Sequence, residues 1–302
     1  MGWDTFGIAR SSAASRIAPE DHHGVFRCDI LDENAVFKVI EKAQPDVVMH
    51  FAAQAFNGSS WEMEWITHQT NCLGTFNVLD CCRQIVPAAR IVLACSSAEY
   101  GDVQPHDCPL AEDRPLHPIT PYGVSKVATE NLGFQFFRNY GMKIFLPRLF
   151  IHVGTGHPPA TAIQNFARQI ALIAHGRLEP VVRVGNLQTA RDFIDVRDGV
   201  RALMLLLERG EAGKPMNICN GEAVTIAQAL ETLIEISGCN VQVETDPALL
   251  RPSDEPLLLG DNSRLKALGW NRQYTIRQTL EAVYNDWMVR VAAQQKSATQ
   301  QV

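Results

Sequence analysis

This 302-residue sequence lacks the short patterns that bind metals or form disulfide frameworks. Its eight cysteines include no Cys-x-x-Cys pair, and its nine histidines include no His-Glu-x-x-His pattern. Because metal ligands usually recur at such spacings, we predict no metal site. The thiols, which include the adjacent Cys81 and Cys82, are expected to be free and buried, as in a reducing compartment.

An excess of basic residues and long apolar runs are also missing. The formal net charge is -6 and the pI is about 5.9, which disfavours nucleic acids and anionic membranes as partners. The apolar run from Ala202 to Leu207 is far shorter than the roughly 20 residues that span a bilayer. No basic segment followed by an apolar core opens the sequence, so we expect no signal peptide and a cytoplasmic protein.

The first half of the chain alternates apolar strands with helical patterns. Residues 4–9 and 25–28 have the composition of short strands. Near-continuous apolar runs at 46–51, 91–95 and 143–150 are typical of strands that are buried on both faces. The alternation predicts an α/β fold with a parallel sheet and helices on both faces. In such sheets, ligands bind beyond the carboxyl ends of the strands.

Three helices are predicted between these strands. Asp32 is expected to cap the first helix, in which Val36 and Ile40 share one face. The second helix is predicted over about residues 65–84, and the third runs from Pro121 to near residue 141.

The start of the third helix carries the most informative motif. Tyr122 and Lys126 are four residues apart, so they lie on the same helix face. A cation held near a phenol favours the phenolate, which lowers the tyrosine pKa. Tyr122 is therefore a candidate proton donor to a carbonyl group. Ser96 ends the preceding strand, and Asn71 lies inside the preceding helix.

The order of short motifs along the chain resembles that of the extended short-chain dehydrogenase/reductase superfamily. The motifs are Asp29-Ile30, Phe51-Ala-Ala-Gln54, Asn71-Cys-Leu-Gly-Thr-Phe-Asn77, Ser96-Ser-Ala-Glu-Tyr-Gly101, Pro121-Tyr-Gly-Val-Ser-Lys126, Arg191-Asp-Phe-Ile-Asp-Val196 and Arg251-Pro-Ser-Asp-Glu255. Within the superfamily, the segments 184–193 and 250–256 look most like enzymes of GDP-6-deoxyhexoses, namely GDP-mannose 4,6-dehydratase and GDP-4-keto-6-deoxymannose reductase.

The resemblance implies a Rossmann-like doubly wound sheet with a smaller C-terminal α+β substrate lobe. Residues 1–150 would form the dinucleotide-binding domain and residues 151–302 mainly the substrate lobe, with residues 184–210 returning to the first domain. A homodimer is expected by the same analogy.

The resemblance also assigns roles residue by residue. Ser96, Tyr122 and Lys126 would be catalytic. Ser97, Ala98, Arg191, Arg251 and Glu255 would bind a nucleotide-sugar substrate, with the two arginines on its diphosphate or nucleoside. The residues expected to bind the nicotinamide cofactor are Arg10, Ser11, Asp29, Ile30, Phe51, Ala52, Ala53, Gln54, Asn71, Tyr122, Lys126, Leu149 and His152.

Two positions bear on cofactor and reaction. Relatives that prefer NAD carry an acidic residue where this chain has Arg10 and Ser11, and these residues suit a 2′-phosphate, so NADP(H) is favoured over NAD(H).

Dehydratases of the family carry an acid/base two residues after the strand-end hydroxyl, where this chain has Ala98. Glu99 is expected to point elsewhere. This favours a reductase of a nucleotide-linked 4-keto-6-deoxyhexose; a 4-epimerase or a 4,6-dehydratase is the alternative.

One family feature is missing from the sequence. The first strand and its Gly-x-x-Gly-x-x-Gly turn would precede the strand at residues 4–9, and in the order 3-2-1-4-5-6 that first strand pairs between it and the strand at 46–51. We expect a late start or a truncation as the explanation. The alternative from another functional class is a non-catalytic relative that has lost cofactor binding.

Overall fold

A computed structural model describes residues 2–10, 23–55, 57–250 and 255–299. The strands are β1 (Phe6–Ala9), β2 (Gly24–Arg27), β3 (Val47–His50), β4 (Arg90–Leu93), β5 (Cys95–Ser96), β6 (Lys143–Leu149), β7 (Ile151–Val153), β8 (Val181–Val184), β9 (Ala190–Asp195), β10 (Pro215–Ile218), β11 (Ala223–Thr225), β12 (Gln242–Thr245) and β13 (Leu257–Leu258). The helices are α1 (Glu33–Ala43), α2 (Glu64–His68), α3 (Gly74–Ile85), α4 (Pro121–Tyr140), α5 (Ala162–Ala174), α6 (Val196–Arg209), α7 (Ile226–Ser237), α8 (Ser263–Ala267) and α9 (Ile276–Thr299).

The described residues fall into two compact units, which are taken one at a time. The first comprises Met1–Gly101, Pro115–Arg148 and Leu207–Met216, and the second comprises Asp102–Arg114, Leu149–Leu206 and Asn217–Val302. Residues 184–206, which were expected in the first domain, thus lie in the second unit. None of the helices in the described part of the chain is long and apolar enough to cross a membrane.

The central sheet has the strand order β10-β6-β4-β3, with β5 paired to β6. The pairs β3–β4 and β4–β6 are parallel, which confirms the predicted fold class. Strands β1 and β2 form a separate parallel pair. Within the described residues, β1 pairs only with β2 and β3 pairs only with β4, so no strand joins these two pieces of sheet.

Helix α1 is capped by a side chain and buries its apolar face. The Asp32 side chain accepts a hydrogen bond from Ala35 N at 3.0 Å, as the capping prediction required, and Val36 and Ile40 are buried in the core of the first unit.

Gly74 lies directly against Ile30, where an added Cβ would come within 2.5 Å of the isoleucine side chain. Glycine therefore sets how closely α3 approaches the residues after β2.

The helix predicted over residues 65–84 is not continuous. It consists of α2 and α3, joined by a π-helical turn at Gln69–Leu73. The turn contains Asn71, which is buried. Such turns concentrate at functional positions because they redirect one side chain without ending the helix.

The second unit has its own mixed sheet and core. Strand β9 pairs with β11 in antiparallel and with β7 and β13 in parallel orientation, while β8 and β12 form a separate parallel pair. Helices α5, α7 and α9 supply apolar side chains to a core that includes Phe166, Leu230 and Trp287.

Candidate active site

Ser96, Tyr122 and Lys126 lie together in the first unit. Ser96 is the last residue of β5, and its hydroxyl is close enough to the Tyr122 phenol to lower the pKa of that phenol. The Lys126 ammonium lies 5.8 Å from the centre of the Tyr122 ring and donates to Ala94 O at 2.6 Å. The structure therefore brings a hydroxyl, a phenol and an ammonium to the carboxyl end of the β4–β5 segment.

The start of α4 is fixed by local contacts. Thr120 caps the helix, its hydroxyl accepting from Gly123 N at 3.0 Å, and Pro121 occupies the first turn. A Cβ on Gly123 would lie 2.5 Å from Ala98 O. Glycine at this position thus allows α4 to approach the turn after Ser96, which places the phenol beside the hydroxyl.

Burial is the largest influence on the pKa values of Tyr122 and Lys126 in the chain without cofactor. It raises the pKa of Tyr122 to about 12, and the Ser96 hydroxyl opposes this only in part. The expectation that Lys126 lowers the Tyr122 pKa is therefore wrong for the chain by itself. Burial also lowers the pKa of Lys126. A phenol with so high a pKa is protonated at neutral pH, as a proton donor must be.

The Glu99 carboxyl is bound to the backbone of the turn that begins at Ser96. Glu99 is completely buried, and its Oε1 accepts from Ser96 N at 2.6 Å in a capping box. Ala98 stands at the position that was compared with the dehydratase acid/base, and its N–H donates to Ser96 Oγ at 3.2 Å. Ser97 is buried in the same turn.

Asn71 organises the loop after β3. Its Oδ1 accepts from Gln54 N at 2.8 Å and its Nδ2 donates to Gln54 O at 3.1 Å, so both backbone groups of Gln54 are held. The same amide donates to the Ser125 hydroxyl at 2.9 Å. Beside this loop, Phe51 and Ala52 are exposed and Ala53 is half-buried. The expected cofactor residues Phe51–Gln54 and Asn71 therefore form one connected group.

The remaining expected cofactor residues of the first unit lie at the ends of β1 and β2. Arg10 is exposed directly after β1. Asp29 Oδ1 accepts from Leu31 N at 3.0 Å, and Ile30 is buried against Gly74. Ser11 falls outside the described residues.

The second unit holds the other expected residues. Arg191 on β9 is buried; it donates to Glu255 O at 2.7 Å, and its guanidinium lies 3.7 Å from the Glu255 carboxylate. His152 Nδ1 bonds to Phe150 O at 2.8 Å. Its Nε2 is buried and has no hydrogen-bond partner among the described residues. Leu149 is half-buried at the end of β6, and Arg251 falls outside the described residues.

The sequence profile of the GDP-mannose 4,6 dehydratase family matches residues 4–283, nearly the whole chain. The chain belongs to this family. It is 34% identical over 248 residues to GDP-6-deoxy-D-mannose reductase of Pseudomonas aeruginosa, a match that spans 82% of this chain and 82% of that protein.

Solved structures of this family's relatives have the same fold. The structure of RMD from Pseudomonas aeruginosa complexed with NADPH matches with a TM-score of 0.85 and 28% identity, over 95% of this chain and 100% of that chain. The UDP-glucose 4-epimerase of Thermus thermophilus in complex with NAD matches with a TM-score of 0.83 and 25% identity, over 93% and 90%. These findings confirm the predicted superfamily of NAD(P)-dependent sugar-nucleotide enzymes.

The Ser96–Tyr122–Lys126 group has hydrogen-bond donors that fit a nicotinamide ribose. An ammonium has three N–H donors, and the buried Lys126 reaches one acceptor, Ala94 O, among the described residues. Two donors are thus left for hydroxyl groups of a ligand, next to the Tyr122 phenol.

Sequence reasoning missed one buried network beside the site. Arg148 Nε and Nη2 donate to the Glu130 carboxylate at 2.8 and 2.7 Å, and Nη1 donates to the Tyr100 hydroxyl at 3.2 Å. The available signal was an arginine within the apolar run at 143–150, since a buried guanidinium requires a paired carboxylate.

Proposed function

We propose that the chain reduces a nucleotide-linked 4-keto-6-deoxyhexose with NADPH, and that its substrate is GDP-4-keto-6-deoxymannose. The observation that carries the proposal is the Ser96–Tyr122–Lys126 group at a turn whose one carboxyl, that of Glu99, is bound to the backbone. The similarity to GDP-6-deoxy-D-mannose reductase supports the same reaction.

The chain's residues supply proton transfer and positioning. Tyr122, protonated at neutral pH, donates its proton to the C4 carbonyl oxygen of the sugar, and the Ser96 hydroxyl holds that oxygen beside it. Lys126 holds the nicotinamide ribose and stabilises the phenolate that proton donation leaves. NADPH, when bound, supplies the hydride.

The turn after Ser96 supports reduction over dehydration. Loss of water from a sugar needs an acid/base on the chain, and a positioned acid/base contributes roughly 10²–10⁴-fold to a rate. Ala98 has no such group, and the Glu99 carboxyl is committed to Ser96 N. A reductase needs neither residue as an acid/base.

NADPH preference rests on Arg10. Its exposed guanidinium directly after β1 suits a 2′-phosphate, and the RMD structure from Pseudomonas aeruginosa is a complex with NADPH. Arg10→Ala should weaken NADPH binding by about tenfold and leave NADH binding unchanged. Arg27→Ala, at the exposed end of β2, is the matched control and should change neither affinity.

The substrate diphosphate is assigned to Arg191. Its planar guanidinium can bind two phosphate oxygens at once, and the Glu255 contacts fix its orientation in the second unit. Arg251 is the second proposed arginine.

A homodimer is proposed from the helices of the first unit. Trp65 on α2, Phe76 on α3 and Phe134 on α4 are exposed by 73%, 44% and 48%. Large aromatic side chains on neighbouring helices are typical of a protein interface, and a second copy of the chain is the proposed partner. Phe134→Glu should shift the mass measured by light scattering from dimer to monomer.

The deciding experiment counts NADPH against product. Purified chain is incubated with GDP-4-keto-6-deoxymannose and NADPH, and the nucleotide sugar is identified by NMR. One NADPH oxidised per 6-deoxyhexose formed supports the reductase. A 4-epimer formed without NADPH loss supports an epimerase, and a 4-keto-6-deoxy product from GDP-mannose supports a dehydratase.

A matched variant connects this activity to the proposed site. Tyr122→Phe removes only the phenol oxygen, so it should lower kcat by at least about 10² while circular dichroism stays unchanged. Unchanged turnover in this variant would refute the assignment of Tyr122.

A further inference from the structure

Glu99 is the last residue of the turn Ser97–Glu99 that follows Ser96, and its two carboxyl oxygens have different surroundings. Oε1 accepts the Ser96 N–H at 2.6 Å. Oε2 is buried, and no N–H or hydroxyl group among the described residues donates to it. The Arg148 Nε lies 3.8 Å from Oε2, too far for a hydrogen bond. An ionised carboxylate in this place would leave one oxygen without a donor, which is costly in a buried site.

A second carboxyl lies close to Glu99. A carboxyl oxygen of Glu99 lies within 4.8 Å of a carboxyl oxygen of Glu130. Two buried carboxylates at this separation repel each other, whereas a protonated carboxyl can donate to its neighbour, so one of the two is expected to carry a proton. Glu130 receives two short hydrogen bonds from Arg148 and is therefore the ionised member.

The charges of Glu99, Glu130 and Arg148 are consistent with one proton bound to the two carboxyl groups. Glu99, Glu130 and Arg148 are buried together, with two acidic groups and one guanidinium. With both acids ionised, these three groups would hold a net charge of −1 away from water, and the Lys126 ammonium, the next cation, donates to Ala94 O. With one proton these three groups are neutral. Burial and the neighbouring Glu130 raise the pKa of Glu99 well above its usual range.

We propose that Glu99 is a protonated positioning residue, which donates from Oε2 to Glu130 and accepts from Ser96 N at Oε1. The neutral acid thereby connects the catalytic turn to the Glu130–Arg148 pair on α4 and β6. It fixes the backbone that presents the Ser96 hydroxyl to Tyr122.

A bound proton explains this cluster better than a metal ion does. The Cys95 thiol and the carboxyl groups of Glu99 and Glu130 come within 4.8 Å of one another. The guanidinium of Arg148 already binds both oxygens of Glu130, however. Burial raises the pKa of the Cys95 thiol well above its usual value, so the thiolate that a metal requires is disfavoured.

The protonation state affects the chemistry at Tyr122, a consequence that rests on the proposed function. When Tyr122 donates its proton it becomes a phenolate, and a negative charge on Glu99 would oppose this step. A neutral Glu99 removes that repulsion. The titratable and charged groups that face Glu99 are Cys95, Tyr100, Tyr122, Lys126, Glu130 and Arg148.

Infrared difference spectroscopy of the whole chain tests the protonation state without any assay. At about pH 8, far above the ordinary glutamate pKa of about 4.3, the C=O stretch of a neutral carboxyl should be present and should shift in D₂O. Glu99→Gln should abolish the band. Glu112→Gln is the control, because that buried glutamate accepts from Asn217 N and pairs with Arg264, and it should leave the band unchanged.

A second variant tests the sharing of the proton. Glu130→Gln removes the anion that binds Arg148, so Glu99 should ionise to pair with the guanidinium and the band should disappear. Absence of the band in the unmodified chain, or its persistence at full intensity in Glu130→Gln, would overturn the proposal.

Kinetic variants then test the positioning role. The amide of Glu99→Gln can accept from Ser96 N and donate to Glu130, so kcat should stay within about threefold of the unmodified chain. Glu99→Leu can do neither, and kcat should fall by about 10² with KM little changed. A loss in Glu99→Gln as large as that in Glu99→Leu would refute the protonated form. Because the infrared result needs no substrate, it stands or falls separately from the reductase assignment.

Discussion

The Asn71 amide donates to the Ser125 hydroxyl at 2.9 Å, and this bond links the π-helical turn before α3 to the helix that carries Tyr122 and Lys126. The Ser125 hydroxyl in turn donates to Tyr122 O at 2.7 Å. Since Asn71 also holds both backbone groups of Gln54, one buried side chain connects the loop after β3 to helix α4. Cofactor binding and catalysis are therefore expected to depend on it together.

Replacement of Asn71 by alanine should destabilise the fold and the site. The change removes the two hydrogen bonds that the Asn71 amide makes to the partly buried backbone of Gln54, so the free energy of unfolding should fall by about 3 kcal/mol. Urea unfolding measures this, and NADPH titration should show weaker binding. Asn186→Ala, at an exposed position, is the control; equal losses in both variants would contradict the role given to Asn71.

Gly123→Ala should reduce turnover through displacement of the start of α4. The new methyl group would meet Ala98 O at 2.5 Å, so α4 and the turn after Ser96 must separate. A shift of about 1 Å at reacting groups can cost about 10² in rate, and we expect a kcat loss of that size. Val124→Ala, at the next and exposed position, should retain full activity. Full activity in Gly123→Ala would show that the close approach is not required.

The buried His50 should make the fold less stable at acidic pH. It is buried at the end of β3 with its Nε2 3.0 Å from the Thr75 hydroxyl. Burial, and secondarily the Lys126 charge, lower its pKa from 6.5 to about 4. As the pH falls, His50 is therefore protonated in the unfolded chain before it is protonated in the folded chain. The free energy of unfolding should fall by about 3 kcal/mol as the pH falls from about 6.5 to about 4.

Urea unfolding across that pH range checks the sign. His50→Gln, which can still bond to the Thr75 hydroxyl, should flatten the decline in unfolding free energy. His106→Gln, at an exposed site, should not. An identical decline in His50→Gln and in the unmodified chain would refute this origin.

Tyr122 should make the fold less stable as the pH rises, whereas His50 makes it less stable as the pH falls. Its pKa of about 12 in the folded chain exceeds the value of about 10 expected when unfolded. Stability contributed by the neutral phenol is therefore lost as the pH rises through this interval. The tyrosinate absorbance of the cofactor-free chain minus that of Tyr122→Phe should rise with a midpoint near 12. A midpoint at or below about 10 would show that Lys126 outweighs burial.

Sequence reasoning succeeded where the signal was periodic or local. The apolar runs at 91–95 and 143–150, the cap at Asp32 and the helix start at Pro121 correspond to observed elements because burial and capping act over a few residues.

What the sequence did not reveal depends on distant contacts. The π turn at Asn71 leaves the helical periodicity almost intact, so the break is invisible until the side chain finds Gln54 and Ser125. The raised pKa of Tyr122 arises from burial by the assembled unit and not from its neighbour Lys126. The Glu130–Arg148 pair joins residues from α4 and β6 that no local pattern relates.

The central claim is hydride delivery to the C4 carbonyl of a nucleotide-linked 4-keto-6-deoxyhexose, with Tyr122 as the proton donor. The most direct test uses NADPH in which both hydrogens at the nicotinamide C4 are deuterium, with GDP-4-keto-6-deoxymannose as substrate. NMR of the product should show one deuterium at sugar C4, formed at a rate that Tyr122→Phe lowers by about 10² or more. A product without deuterium at C4, or no product from a chain shown to bind NADPH, would contradict the account.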